Sequence, residues 1–86
     1  MDTLSLLKIS LGITGTGYDE RLQQMIDAAQ DYIATEGINI DQASDGDTQI
    51  VVMYAEYLWR KRESGEEMPR MLRMVLNNRL FSQKMR

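Results

Sequence analysis

Apolar side chains recur at intervals of three and four residues in four stretches of the chain, and glycines or acidic clusters separate them. That period is the signature of amphipathic helices. The first stretch covers about Asp2 to Leu11, with Leu4, Leu7 and Leu11 on one stripe, Ile9 widening it and Gly12 just past its end. The second runs from near Tyr18 to about Thr35 on Leu22, Met25, Ile26, Ala29 and Ile33. Asp19 and Glu20 lie in its first turn, where negative charge suits the helix dipole, and Gly37 follows as a C-cap. The third opens near Ser44 to Asp47, a pair spaced like a capping box in aspartate form, and ends before Gly65. The run Ile50-Val51-Val52 could be a strand on its own, but no Gly or Pro interrupts Asp47 to Ser64, which predicts a helix about 27 Å long. The fourth starts at Pro69, suited to a first helical position, and carries Met71, Leu72, Val75 and Leu76. Asn77-Asn78 marks a plausible end, and residues 79–86 follow as an extended or partly helical tail. The expected fold is all-α, a small bundle of four helices in one domain of residues 1–86.

The third helix is unusual. From Ile50 to Trp59, nine of ten residues are apolar or aromatic, Glu56 being the exception. A helix apolar all round must be covered on several sides. In a chain of 86 residues, three other helices are expected to leave part of it facing another subunit. Met25, Met53 and Met71 are expected in the core, and Trp59 at an interface.

Charge adds a second asymmetry. Residues 57–86 hold eight basic and three acidic side chains, for +5, whereas residues 1–56 hold two basic and ten acidic ones, for −8. A chain with one acidic and one basic end has a reason to associate, including with its own copies. There is no Cys and no His. Disulfides and the usual zinc sites are therefore excluded, which leaves oligomerisation as the common way to stabilise so small a core. The apolar run Ile50 to Ala55 is far short of the roughly 20 residues that cross a bilayer. No basic n-region followed by a long apolar stretch opens the chain, so a cytosolic product is expected.

Candidate chemistry is sparse. The loop Gly12 to Tyr18 has phosphate-loop glycine spacing, but Tyr18 stands where the lysine should be. A dinucleotide fingerprint fails too, since Glu20 occupies its third glycine position. In the acidic loop, Asp41, Asp45 and Gly46 fit a calcium loop, but Ala43 and Val52 replace two required ligands. Without His or Cys, general acid–base chemistry has little to use. No catalytic residue, cofactor or metal is expected. Arg60-Lys61-Arg62 with Arg70, Arg73 and Arg79 could meet phosphate, which keeps a small nucleic-acid-binding regulator as the alternative. The connector Ser64 to Met68 is acidic, however, and the following helix lacks the side chains usual at base edges. A metabolic or toxin–antitoxin accessory role has no motif in its favour.

Two segments carry a family resemblance. The run MYAEYLWRKRESGEEMPRMLRMVLNNRLFSQKM, Met53 to Met85, resembles the head–tail connector (adaptor) proteins of tailed bacteriophages, also described as DNA-packaging proteins. The segment LLKISLGITGTGYDERLQQMIDAAQDYI resembles the same family, which opens with a short helix, a loop bearing a Tyr-Asp pair and a longer helix. The resemblance implies a non-enzymatic virion protein that meets the head in the host cytoplasm during assembly. It would form a ring, dodecameric by analogy, on the portal vertex, extend the DNA channel and offer a platform to a tail-side stopper or tail-completion protein. DNA would pass without sequence-specific binding, and no membrane is involved. Carried onto this chain, Ile50, Met53, Tyr54, Tyr57, Trp59 and Arg60 would line the inter-subunit wall. Arg70, Arg73, Arg79, Leu80, Phe81, Lys84 and Arg86 would grip the portal, with 79–86 as a partner-binding tail that is mobile until bound.

Overall fold

The computed structural model describes residues 2–85 except Glu66, with the backbone alone at Glu63 and Ser64. Four helices follow one another: α1 (Thr3–Leu11), α2 (Asp19–Thr35), α3 (Asp45–Ser64) and α4 (Arg70–Lys84). No strand occurs among the described residues. The fold is all-α, as the periodicity implies.

Local chemistry explains the ends. Asp2 caps α1, its Oδ1 accepting from the Ser5 N–H at 2.7 Å. Gly12 closes α1 in the left-handed region at φ 74°, and the Ile13 N–H reaches back to Lys8 O at 2.9 Å. These bonds satisfy donors and carbonyls that a helix terminus leaves open. Ser44 caps α3 by accepting from the Asp47 N–H at 3.2 Å, the half of a capping box that the sequence shows. Gly65, at φ 68°, ends α3. Pro69 is the cap residue rather than the first helical one.

The Asp2 cap yields a pH prediction. The Ser5 N–H stabilises the carboxylate and holds its pKa below the ordinary 3.8. A lowered folded value means that the cap contributes fully above the ordinary value and is lost as pH falls through the folded one. The Ser5 amide resonance should therefore titrate with a midpoint below 3.8, and Asp2→Asn should abolish the transition. A midpoint at or above the ordinary value would refute the cap.

The core forms around α3, which packs against the other three helices and most extensively against α2. Leu7 of α1, Leu22, Ile26, Ala29 and Ile33 of α2, and Leu72 and Leu76 of α4 are all buried against it. Ile50, Val51, Val52, Tyr54, Ala55 and Tyr57 of α3 are buried within the same cluster. The apolar surplus of α3 is thus largely covered inside one protomer. Sequence alone underestimates this cover because three helices surround α3 on different sides. Met71, expected in the core, is instead exposed.

At the C-terminal end the tail takes the helical one of its two expected forms. Helix α4 does not stop at Asn77-Asn78 but runs unbroken to Lys84. Residues 79–84 are therefore helical. Their anchor is long-range and polar.

Candidate functional site

That anchor centres on Asp47, a residue only 5% exposed in the first turn of α3. Its Oδ1 accepts from Arg79 Nε at 2.7 Å and its Oδ2 from Arg79 Nη2 at 3.0 Å, a two-pronged ion pair. Oδ2 also accepts from the Asp41 N–H at 2.8 Å. Arg79 Nη2 donates in addition to Asn39 O at 2.8 Å. One turn on, Gln83 Nε2 donates to Gly37 O at 2.9 Å, while its Oε1 accepts from the Asn39 N–H at 2.8 Å. The end of α4 is thereby latched to the loop between α2 and α3. A second tie joins α4 to the end of α2 through Arg73 and Glu36. Hydrogen bonding to these carboxylates raises both guanidinium pKa values above their ordinary value, so both stay charged throughout the accessible range.

The acidic loop is consequently a folded helix entrance. Asp41 Oδ1 accepts from the Ala43 N–H at 2.9 Å and Asp47 faces Arg79. Among the described residues no group of three acidic side chains is arranged to hold a metal ion. No helix among them is long and apolar enough to cross a membrane.

The expected inter-subunit residues divide by depth. Ile50, Tyr54 and Tyr57 belong to the core, Met53 and Trp59 are half-buried, and Arg60 is exposed. Burial also raises the Tyr54 phenol pKa above its ordinary value. Met53, Tyr57 and Arg60 share a groove of about 180 Å³ with Pro69, Met71 and Leu72, between α3 and α4. Trp59 meets Tyr18 edge-on, ring centroids 5.6 Å apart, and the Arg62 guanidinium lies 4.4 Å from its ring centroid. Arg60 pairs with Glu56 at 2.7 Å, and Glu56 also accepts from Ser10 Oγ at 2.8 Å. The basic run is thus woven into the protomer surface.

The expected portal-gripping residues divide as well. Arg73 and Arg79 are engaged within the protomer, and Leu80 is half-buried. Arg70, Phe81 and Lys84 are exposed, and Arg86 lies outside the described residues. Sequence reasoning missed a feature on this outer face. Met71, Met74, Phe81 and Met85 are 69, 56, 65 and 72% exposed. With Asn78 they repeat at intervals of three, four, three and four residues. At 3.6 residues per turn they form one stripe about 80° wide, opposite Leu72 and Leu76. The spacing itself was the signal, but it runs one residue out of phase with the buried stripe.

The chain thus folds as four helices around one apolar centre. The family model for the phage gp6-like head-tail connector protein matches residues 1–78, and the chain belongs to that family. It is a structural connector of the phage particle, of the class that stands at the head–tail junction. No curated protein and no solved structure matched the chain.

Proposed function

We propose that this connector forms a closed ring on the portal vertex by head-to-tail contact between identical protomers. Twelve copies would follow the resemblance. The ring extends the DNA channel and gives a tail-side stopper or completion protein its platform. The observation that carries this reading is that one protomer exposes an acidic and a basic surface on different helices. Helix α2 exposes Glu20, Asp27 and Asp31, while α3 ends in Arg60, Lys61 and Arg62 beside half-buried Trp59. Unlike surfaces on one molecule favour a heterologous contact, which closes into a ring when the rotation permits. The contact would use half-buried Met53 and Trp59 and exposed Arg60 of the expected wall, with Ile50, Tyr54 and Tyr57 supporting it from beneath. Helix α4 then remains for the portal, presenting Arg70, Phe81 and Lys84.

Native mass measurement at rising concentration, alone and with portal, tests the ring. Expected are oligomers of one closed size, assembling more slowly as salt rises. A strictly monomeric mass under all these conditions would remove the proposal. Trp59→Ala is expected to weaken association at least about tenfold, the cost of losing an aromatic anchor worth 1.4 kcal/mol or more. The protomer should remain folded. A variant that cannot fold would place Trp59 in the core instead.

A further inference from the structure

The outer stripe of α4 has the form of a helix-binding seam. Met71, Met74, Asn78, Phe81 and Met85 occupy alternating three- and four-residue steps, the a and d positions of two heptads. All four apolar members are more than half exposed, although α4 already buries Leu72 and Leu76 on its other side. A solvated helix face ordinarily carries polar residues there. Asn78 sits at the central a position, where a single Asn fixes the register of a paired helix at some cost in affinity. Three of the four apolar residues are Met, whose flexible thioethers adapt to varied partner surfaces.

We infer that this seam seats an amphipathic helix of another protein, apolar at heptad spacing and acidic along its edges. The inference deepens the reading of α4 as the portal-facing helix, on which it rests, by stating the chemistry of the docked segment. Charge selects the occupant. Helix α4 has no acidic residue. Of its four cations, Arg73 and Arg79 pair with Glu36 and Asp47. Arg70 and Lys84 make no ion pair among the described residues and share one flank of the seam, at g positions. A second copy of α4 would be a poor occupant. Antiparallel, it sets Arg70 of one copy against Lys84 of the other. Parallel, it offers no carboxylate to either. Helix α2 supplies acids at Glu20, Asp27 and Asp31, but its exposed positions between them include Gln23 and Gln24 in place of large apolar residues. A lipid surface fits less well, because the stripe is narrow and only two cations flank it, whereas interfacial helices present a broad apolar face with many.

The test uses the full chain and synthetic helical peptides of three heptads. One peptide has Leu at a and d, a single Asn at a, and Glu at e and g; repulsion between its own flanks keeps it monomeric. A second has Lys at e and g. Binding is read by anisotropy of the labelled peptide and by amide shifts in the protein. The Glu-edged peptide should bind saturably, perturbing residues 71–85, and at least tenfold more tightly than the Lys-edged one. Met74→Glu with Phe81→Glu should weaken it at least tenfold while the melting temperature stays close to that of the parent. Met74→Ser with Phe81→Ser should do the same without added charge. No sedimentation is expected with vesicles of phosphatidylcholine and phosphatidylserine at 7:3. The inference is overturned by failure of the Glu-edged peptide to bind at millimolar concentration, or by equal binding of both peptides. Vesicle binding lost in the double variants would overturn it, as would self-association of the chain lost in them. Peptide binding with no ring would sink only the ring, and a ring with no peptide binding only the seam.

Discussion

Arg79→Met should destabilise the protomer by about 3 kcal/mol, the lower end of the range for breaking a buried ion pair. For a domain this small, that corresponds to a fall in melting temperature of roughly 12–24 °C. Ordinary surface pairs contribute less than about 1 kcal/mol. This pair differs because its side chains are only 17% and 7% exposed, so removing Arg79 leaves the Asp47 carboxylate poorly solvated. The Asp41 N–H and the first turn of α3 still favour the charge, which keeps the cost near the lower end. Replacing both partners, Arg79→Met with Asp47→Leu, should recover part of the loss, since two apolar groups leave no orphaned charge. Thermal melts of the parent, both single variants and the pair form the cycle. A single variant melting within about 3 °C of the parent would mean that water screens the pair. By the same reasoning, deleting residues 79–86 should lower stability at least as much, because the deletion removes Arg79 and Gln83 together.

Leu76→Ala and Phe81→Ala should separate folding from attachment. Leu76 is 1% exposed and packs in the central cluster, so its truncation should cost about 2–5 kcal/mol through lost burial and the cavity left behind. Phe81, on the opposite face of α4, should change stability by no more than about 0.5 kcal/mol. Attachment should show the reverse order. Phe81→Ala should weaken binding to portal-bearing heads at concentrations where the parent saturates them, with its circular dichroism spectrum unchanged. If Phe81→Ala attaches normally, the outer face of α4 is not the contact. If it melts as low as Leu76→Ala, that face is part of the fold.

Most of the secondary structure was legible because its signals are local. Gly12 and Gly65 stop helices where positive φ is needed, and Ser44 and Asp47 open α3 within one turn. The end of α4 was not legible. Asn77-Asn78 carries the local composition of a terminus, yet Arg79 reaches a carboxylate 32 residues earlier in the chain. No window around Asn78 contains that information, and long-range pairing outweighs the modest propensity cost of two asparagines. The length of the apolar run of α3 is visible in the sequence, but the cover that three helices give it is not. The exposure of Met71 is hidden from the sequence for a related reason. Helix α4 carries two interleaved stripes, and a helical period cannot say which one faces inward. Of the candidate contact residues, sequence picked out Trp59 and Phe81 by type. It could not tell that Arg73 and Arg79 serve the protomer itself.

The latch between α4 and the 37–47 loop has a mechanical consequence. Tension applied along α4 through its outer face would not be taken up by bending at Asn78. The ionic clasp of Arg79 on Asp47 would carry it into the first turn of α3, the helix that packs against the other three, and the paired bonds of Gln83 would carry it into the loop at Gly37 and Asn39. A strain sensor at Asn78 would remain quiet, and the first yielding point would be the clasp.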